Sequence, residues 1–260
     1  MSEFKFQAHR GDSVSYPENT LVSYLAAVEQ GYKIVEMDCK FTKDNVCIML
    51  HDGNINRTCR REDGSEFEEK IASTALTLDE IKALDAGLFK GEQFRGVRIP
   101  TLAETLETLK PTGVDVKLDN VFQGFNEEQF EIFCETVKAA DMGSKVGFTC
   151  KTLPYFAWLA EKFPEAHMHY DGLMTKEALE YTSKAAPGRV TYWIPYANKS
   201  TAWFKGRFAD EAFCAEVRKY GNIGIWTIGE MDELRTAVKV FGAVAAETNG
   251  QLKPYMLADI

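Results

Sequence analysis

Phe4-Lys-Phe-Gln-Ala-His-Arg-Gly-Asp12 opens the sequence with a short extended run that ends on charged groups. Aromatic residues alternate with polar ones over Phe4–His9, as in a half-buried strand. The residues just past this strand decide between two parallel folds. An open doubly wound sheet that cradles a nucleotide places a glycine-rich loop there, whereas this chain has His9-Arg10-Gly11-Asp12. Working outward, the same rhythm recurs. Extended runs at Lys33–Thr42, Val46–Asp52, Gly113–Leu118, Lys145–Thr149, His167–Tyr170, Val190–Pro195, Gly224–Ile228 and Ala243–Thr248 alternate with amphipathic stretches. The helical candidates are Thr20–Gln30, Thr101–Leu109, Glu127–Ala140, Leu153–Lys162, Thr175–Lys184, Asp210–Lys219 and Met231–Val240. Thr77-Leu-Asp-Glu80 and Thr101-Leu-Ala-Glu104 fit capping boxes, Pro154 suits a first helical turn, and Gly31, Gly221 and Gly242 fall just past helix ends. About eight strand–helix units in roughly 250 residues is the size of a TIM (β/α)8-type barrel. The expected fold is therefore an α/β barrel occupying residues 1–260 as a single domain.

The extended runs exceed a simple barrel by one. Only Lys43-Asp44-Asn45 separates the second from the third, too short for a crossover helix and rich in tight-turn chemistry. Residues 33–52 thus read as a β-hairpin in place of one βαβ crossover. A two-residue loop at 44–45 pairs 43 with 46 and, further down the arms, His51 with Asp38.

Composition narrows the functions. The 260 residues are 45% hydrophobic and 27% charged, with 30 Lys+Arg against 39 Asp+Glu, a net charge of −9. That balance argues against a nucleic-acid partner and offers no attraction to anionic membranes. No apolar run approaches the ~20 residues of a membrane span, so no stable membrane insertion is expected. No signal peptide is read before His9, and the six cysteines contain no CxxC pair. Reduced thiols and a cytoplasmic location are the expectation.

Charged groups cluster at the far ends of the expected strands: His9-Arg10, Glu36-Met37-Asp38, His51-Asp52 and Asp115-Val116-Lys117. Residues i and i+2 of a strand share a face, and the C-terminal ends of barrel strands are where catalytic groups sit. Taken singly, each has an ordinary structural use: a strand-end histidine, a solvated acidic edge, a structural lysine, or Asn19 as a helix N-cap. Together their charges complement one another. Glu36, Asp38 and Asp115 are hard oxygen donors suited to Ca²⁺ or Mg²⁺. One such cation, Arg10, Lys117 and a phosphodiester monoanion would bring the site to neutrality. Two imidazoles near neutrality form an acid–base pair.

His9-Arg10-Gly11, Pro17-Glu-Asn-Thr20, Glu36-x-Asp38, Thr42-Lys-Asp44 and His51-Asp52 resemble the glycerophosphodiester phosphodiesterase family, in that order and at similar spacing. The likeness continues through Asn56-Arg-Thr58, Leu84-Asp-Ala-Gly87, Ile99-Pro-Thr-Leu-Ala-Glu104, Asp115-Val-Lys117 and Trp226-Thr-Ile228. It implies a TIM barrel hydrolysing glycerophosphodiesters to sn-glycerol 3-phosphate and an alcohol, with Ca²⁺ or Mg²⁺. Carried over, it makes His9 and His51 the acid–base pair and Arg10 and Lys117 phosphate contacts. Glu36, Asp38 and Asp115 become the metal ligands. Asp115 stands where the family usually has Glu, Gly229 where it commonly has Asn, and Asn249 where it usually has Asp. Trp226 and Tyr196–Phe204 are candidate walls for the alcohol group. His167-x-His169 reads as packing, and residues 52–100 as a solvated excursion or a lid over the barrel mouth. The alternatives are a phosphodiesterase acting on lysophospholipids or related lipids, and a non-catalytic barrel binding phosphorylated ligands.

Overall fold

Asp115-Val-Lys-Leu118 shows how the strands sort their side chains: Val116 and Leu118 turn outward into the helical layer and are buried there, while Lys117 turns into the barrel. Such alternation is repeated around a closed ring. The computed structural model describes residues 4–196 and 204–260. Its elements run β1 (Lys5–Ala8), α1 (Leu21–Glu29), β2 (Ile34–Met37), β3 (Cys39–Phe41), β4 (Cys47–Met49), α2 (Leu78–Lys82), α3 (Leu102–Leu109) and β5 (Asp115–Leu118). They continue through α4 (Glu127–Ala140), β6 (Val146–Cys150), α5 (Leu153–Lys162), β7 (His167–Tyr170), α6 (Lys176–Ala185), β8 (Val190–Pro195), α7 (Glu211–Val217), β9 (Asn222–Trp226), α8 (Met231–Lys239) and β10 (Ala245–Thr248). The strands close in the order β1-β10-β9-β8-β7-β6-β5-β2, every pairing parallel, with β1 bonded to β2. This is the expected barrel.

Local chemistry sets the helix starts. Thr20, Thr77, Thr101 and Asn126 accept from the N–H three residues on, and Pro154 lies in the first turn of α5. Gly31 and Gly242 take the left-handed conformation (φ 88° and 66°). Gly221 does not, and instead leaves room for Tyr192 and the Val190 carbonyl.

The hairpin forms, with two corrections. β3 and β4 make a separate two-stranded antiparallel sheet, and the barrel strand β2 ends before it. The hairpin is inserted within the β2–β5 crossover rather than replacing it, since α3 still comes after it. Its register also differs by one residue. Cys39 faces Met49 and Phe41 faces Cys47, so Asp38 falls opposite Leu50, whose N–H donates to the Asp38 carbonyl at 3.0 Å. The cause is a longer loop: Thr42 N–H reaches Val46 O at 3.0 Å, and Asn45 sits at φ 54°. A left-handed residue in this place is the signature of a three-residue hairpin loop. Residues beyond the hairpin pack with Ile48 of β4 into a small second core, built on Leu50, Ile55, Cys59, Ile81, Ala86 and Ile99. The excursion is therefore a packed element, not a merely solvated one.

The barrel interior is filled by large side chains set against glycines. Trp193 is 1% exposed, and its ring lies 2.6 Å from where a Cβ on Gly224 would stand. Gly147 makes the same allowance for His169. His169 Nδ1 accepts from Trp193 Nε1 at 2.9 Å, and His167 Nε2 meets Thr191 Oγ1 at 2.8 Å. Burial lowers His167 to about 4 and His169 well below the ordinary range, so both are neutral packing groups at pH 7. We predict that Gly224→Ala destabilises the fold by ~1–3 kcal/mol through overpacking against Trp193. An unchanged urea midpoint would show that the ring has room to move.

Candidate active site

Glu36 projects from β2, Asp38 stands where the chain leaves the barrel for the hairpin, and Asp119 comes directly after β5. Among the described residues they form the one group of three ligand-bearing side chains whose atoms lie within 4.8 Å of one another. The surrounding backbone is shaped to hold them. Arg10, at φ 59°, directs its N–H to Glu36 Oε2 at 2.9 Å, while its Nε lies 3.3 Å from Asp38 Oδ2. Asn19 is not the N-cap of α1; Thr20 is. Asn19 instead donates to Asp38 Oδ2 at 2.9 Å and accepts from the buried Tyr24 hydroxyl at 2.8 Å.

Asp115, the expected third ligand, does not join this cluster; Asp119 stands in its place. Strand alternation places both on the inner face, but Asp115 is the first residue of β5 and Asp119 lies four positions on, ~13 Å along a strand. Asp115 sits at the opposite mouth, 2.6 Å from Lys5 Nζ and 2.9 Å from Lys145 Nζ. Lys117, between them, does reach the upper cavity. Its Nζ is 3.8 Å from Glu247 Oε2 and 4.4 Å from the Trp193 ring centroid, and Glu247 also accepts from Gln7. Burial opposes the Lys117 charge, but Glu247, Asp119 and Glu36 outweigh it and keep the lysine firmly protonated.

The carboxylate trio is electrostatically incomplete. Burial, then Asp38 and Asp119, push Glu36 well above the ordinary range despite Lys117. A divalent cation would relieve that repulsion, and three hard oxygen donors in a buried cluster fit Ca²⁺ or Mg²⁺.

Both expected histidines face the same cavity of about 350 Å³, together with Arg10, Glu36, Lys117 and Asp119. His9 Nδ1 is 2.6 Å from Asn249 Oδ1, and His51 Nδ1 is 2.6 Å from Asp52 Oδ1. An oxygen acceptor at Nδ1 puts the proton there and leaves Nε2 of the neutral ring with its lone pair. Asp52 is held in turn by Arg57 Nε at 2.7 Å, and Arg57 grips Glu18 with two N–H groups at 2.7 and 2.8 Å. Glu18 closes the chain on Arg10 at 3.0 Å. Burial alone would raise Asp52, but hydrogen bonds from Arg57 and His51 bring it down to about 2.

Trp226 and the buried Asp171, Glu247 and Thr149 complete the walls. Residues 197–203 of the other aromatic candidate lie outside the described residues. Asp119, Asp171, Glu247 and Thr149 escape a reading of the sequence because isolated polar residues on strands or just past their ends carry no local signature. Asp119 lies two residues beyond the Asp115-Val-Lys117 motif. Arg57 has one signal, its place in Asn56-Arg-Thr58.

A family model described as "Glycerophosphoryl diester phosphodiesterase family" matches residues 9–220. A glycerophosphodiester phosphodiesterase of Caldanaerobacter subterraneus is 43% identical over 102 residues, 39% of this chain and 39% of that one. One of Bacillus subtilis is 31% identical over 132 residues, 46% of this chain and 42% of the relative. These matches thus span less than half of the curated relatives' length. Among solved structures, an Oleispira antarctica phosphodiesterase in complex with the product sn-glycerol-3-phosphate superposes with TM-score 0.78 at 23% identity, covering 95% of this chain and 93% of that one. A glycerophosphodiester phosphodiesterase from Thermotoga maritima gives TM-score 0.66 at 21% identity, with 96% of each chain covered. At these identities the likeness is one of fold.

The Asp52 interaction has a defined pH sense. Because its folded pKa is depressed, its stabilising contribution is present above the ordinary aspartate range and is lost as pH falls through about 2. Arg57→Met should raise the Asp52 midpoint from about 2 towards that ordinary range, read by carboxyl ¹³C NMR. An unmoved midpoint would remove Arg57 from this role.

Proposed function

The chain belongs to the glycerophosphoryl diester phosphodiesterase family, and from that premise we propose that it hydrolyses glycerophosphodiesters to sn-glycerol 3-phosphate and an alcohol. The reading rests on one observation: two imidazoles, Arg10, Lys117, Glu36 and Asp119 share a single cavity at the C-terminal mouth of the barrel. Catalysis is proposed to be metal-dependent, with Glu36, Asp38 and Asp119 holding one Ca²⁺ or Mg²⁺. When bound, the cation supplies positive charge against the phosphoryl oxygens. Arg10 has guanidinium N–H donors beyond the one given to Glu18, and these orient a phosphoryl oxygen. Lys117 adds a fixed positive charge from the barrel interior.

His9 and His51 are the proposed acid–base pair. One takes the proton of the attacking oxygen at Nε2, either a vicinal substrate hydroxyl or water. As that oxygen bonds to phosphorus, the P–O bond to the alcohol breaks and the other ring, as imidazolium, protonates the departing oxygen; water attack gives sn-glycerol 3-phosphate directly, whereas hydroxyl attack gives a cyclic phosphate that water then opens with the two histidines exchanging roles. The substrate is a water-borne small molecule and the proposed setting is the cytoplasm. A lysolipid substrate and a non-catalytic binding barrel remain outcomes of the same assay; possession of both histidines and the carboxylate trio counts against the latter.

The test is release of sn-glycerol 3-phosphate from choline, ethanolamine, glycerol and inositol glycerophosphodiesters, with and without EDTA and added Ca²⁺ or Mg²⁺. Chelation should abolish release and the cation restore it; release indifferent to EDTA would end the metal proposal. His9→Ala and His51→Ala should each lower kcat by roughly 10²–10⁴, and near-normal turnover would remove that residue from the chemistry. Asp119→Asn should weaken cation binding and turnover severely, whereas Asp115→Asn at the far mouth should leave both close to the parent. The reverse ranking would restore Asp115 as the ligand.

A further inference from the structure

Thr149 lies on β6 with its side chain turned into the upper cavity, 1% exposed, and its hydroxyl has no hydrogen-bond partner among the described residues. A buried hydroxyl without a partner is costly, and valine would fill the same space without that cost. The hydroxyl is also well placed. β5 and β6 pair Leu118 with Phe148, so Asp119 and Thr149 come next side by side, and Thr149 itself pairs with His169 on β7. Asp171 lies just past β7, anchored by its N–H to the Cys150 carbonyl at 3.2 Å, and its side chain lines the same cavity. Thr149 thus stands between two carboxylates on the wall of the cavity.

This combination selects among the parts of a phosphodiester. A phosphoryl oxygen only accepts hydrogen bonds and is repelled by Asp171. A quaternary ammonium is attracted by Asp171 but offers no hydrogen to Thr149. A substrate hydroxyl does both, donating to a carboxylate while accepting from Thr149. Resting on the function proposed above, we propose that Thr149, with Asp171 beside it, binds a free hydroxyl of the substrate's glycerol or polyol portion and so selects hydroxyl-bearing diesters.

The test compares Thr149→Val and Thr149→Ser with the parent protein in Ca²⁺, using ligands with and without hydroxyls. By calorimetry, Thr149→Val should weaken sn-glycerol 3-phosphate by ~10-fold, one net hydrogen bond, and leave n-propyl phosphate unchanged; Thr149→Ser should restore the affinity. In turnover, the loss should appear in KM for glycerophosphocholine while bis(p-nitrophenyl) phosphate is unaffected. A loss with glycerophosphocholine places the contact on the glycerol; one confined to glycerophosphoinositol places it on the polyol head. Equal losses with hydroxyl-free ligands, or no loss with any, would overturn the proposal. Thr149→Ala serves the same comparison if valine disturbs the barrel. Failure of the parent to cleave any glycerophosphodiester would defeat the proposed function instead, and the binding comparison would still decide the role of Thr149.

Discussion

Like charges forced together in a buried place govern this molecule. Glu36 on β2, Asp38 just past it and Asp119 just past β5 meet because β2 and β5 are hydrogen-bonded neighbours, and their ligand atoms lie within 4.8 Å of one another. Burial, with their mutual repulsion added, pushes Glu36 well above the ordinary carboxylate range. Much of the surrounding structure answers that field. Arg10 contributes both a backbone N–H and its guanidinium, Asn19 donates to Asp38, and Lys117 stands beside Glu36 on the neighbouring strand. The left-handed turn at Arg10 arises from the same need, since it aims the amide at Glu36. A bound cation would relieve the repulsion in a site of this kind.

The two histidines are held differently. His9 leans on a neutral amide, Asn249, whereas His51 leans on a carboxylate whose negative charge is secured by Arg57. Arg57 belongs to the excursion between the hairpin and α3, and through Glu18 it is tied back to Arg10 at the end of β1. The excursion therefore contributes to the site by orienting it. Its small apolar core gives Arg57 a fixed base from which to reach across.

The hairpin illustrates how far local patterns reach. Asp44-Asn45 predicted a turn and the flanking runs predicted two paired arms, both of which form. Register is set by loop length, and Asn45 in the left-handed region adds one residue to the loop. That single residue moves Asp38 from His51 to Leu50. His51 nevertheless arrives in the cavity, because β4 returns the chain to the point where β2 releases it.

Alternation, caps and turn residues are local properties, and from them the sequence determined the order of strands and helices, the barrel, and the strands that carry charged groups. The resemblance in its motifs directed attention to His9, Arg10, Glu36, Asp38, His51 and Lys117. Depth along the barrel axis is not a local property. Asp115 and Asp119 share one inward face, and nothing in their spacing states which mouth each serves; the register of β5 against β2, Ile34 beside Asp115 and Glu36 beside Lys117, decides it. Asp171, Glu247 and Thr149 likewise become neighbours only when the ring closes, because closure alone brings distant strands around one cavity.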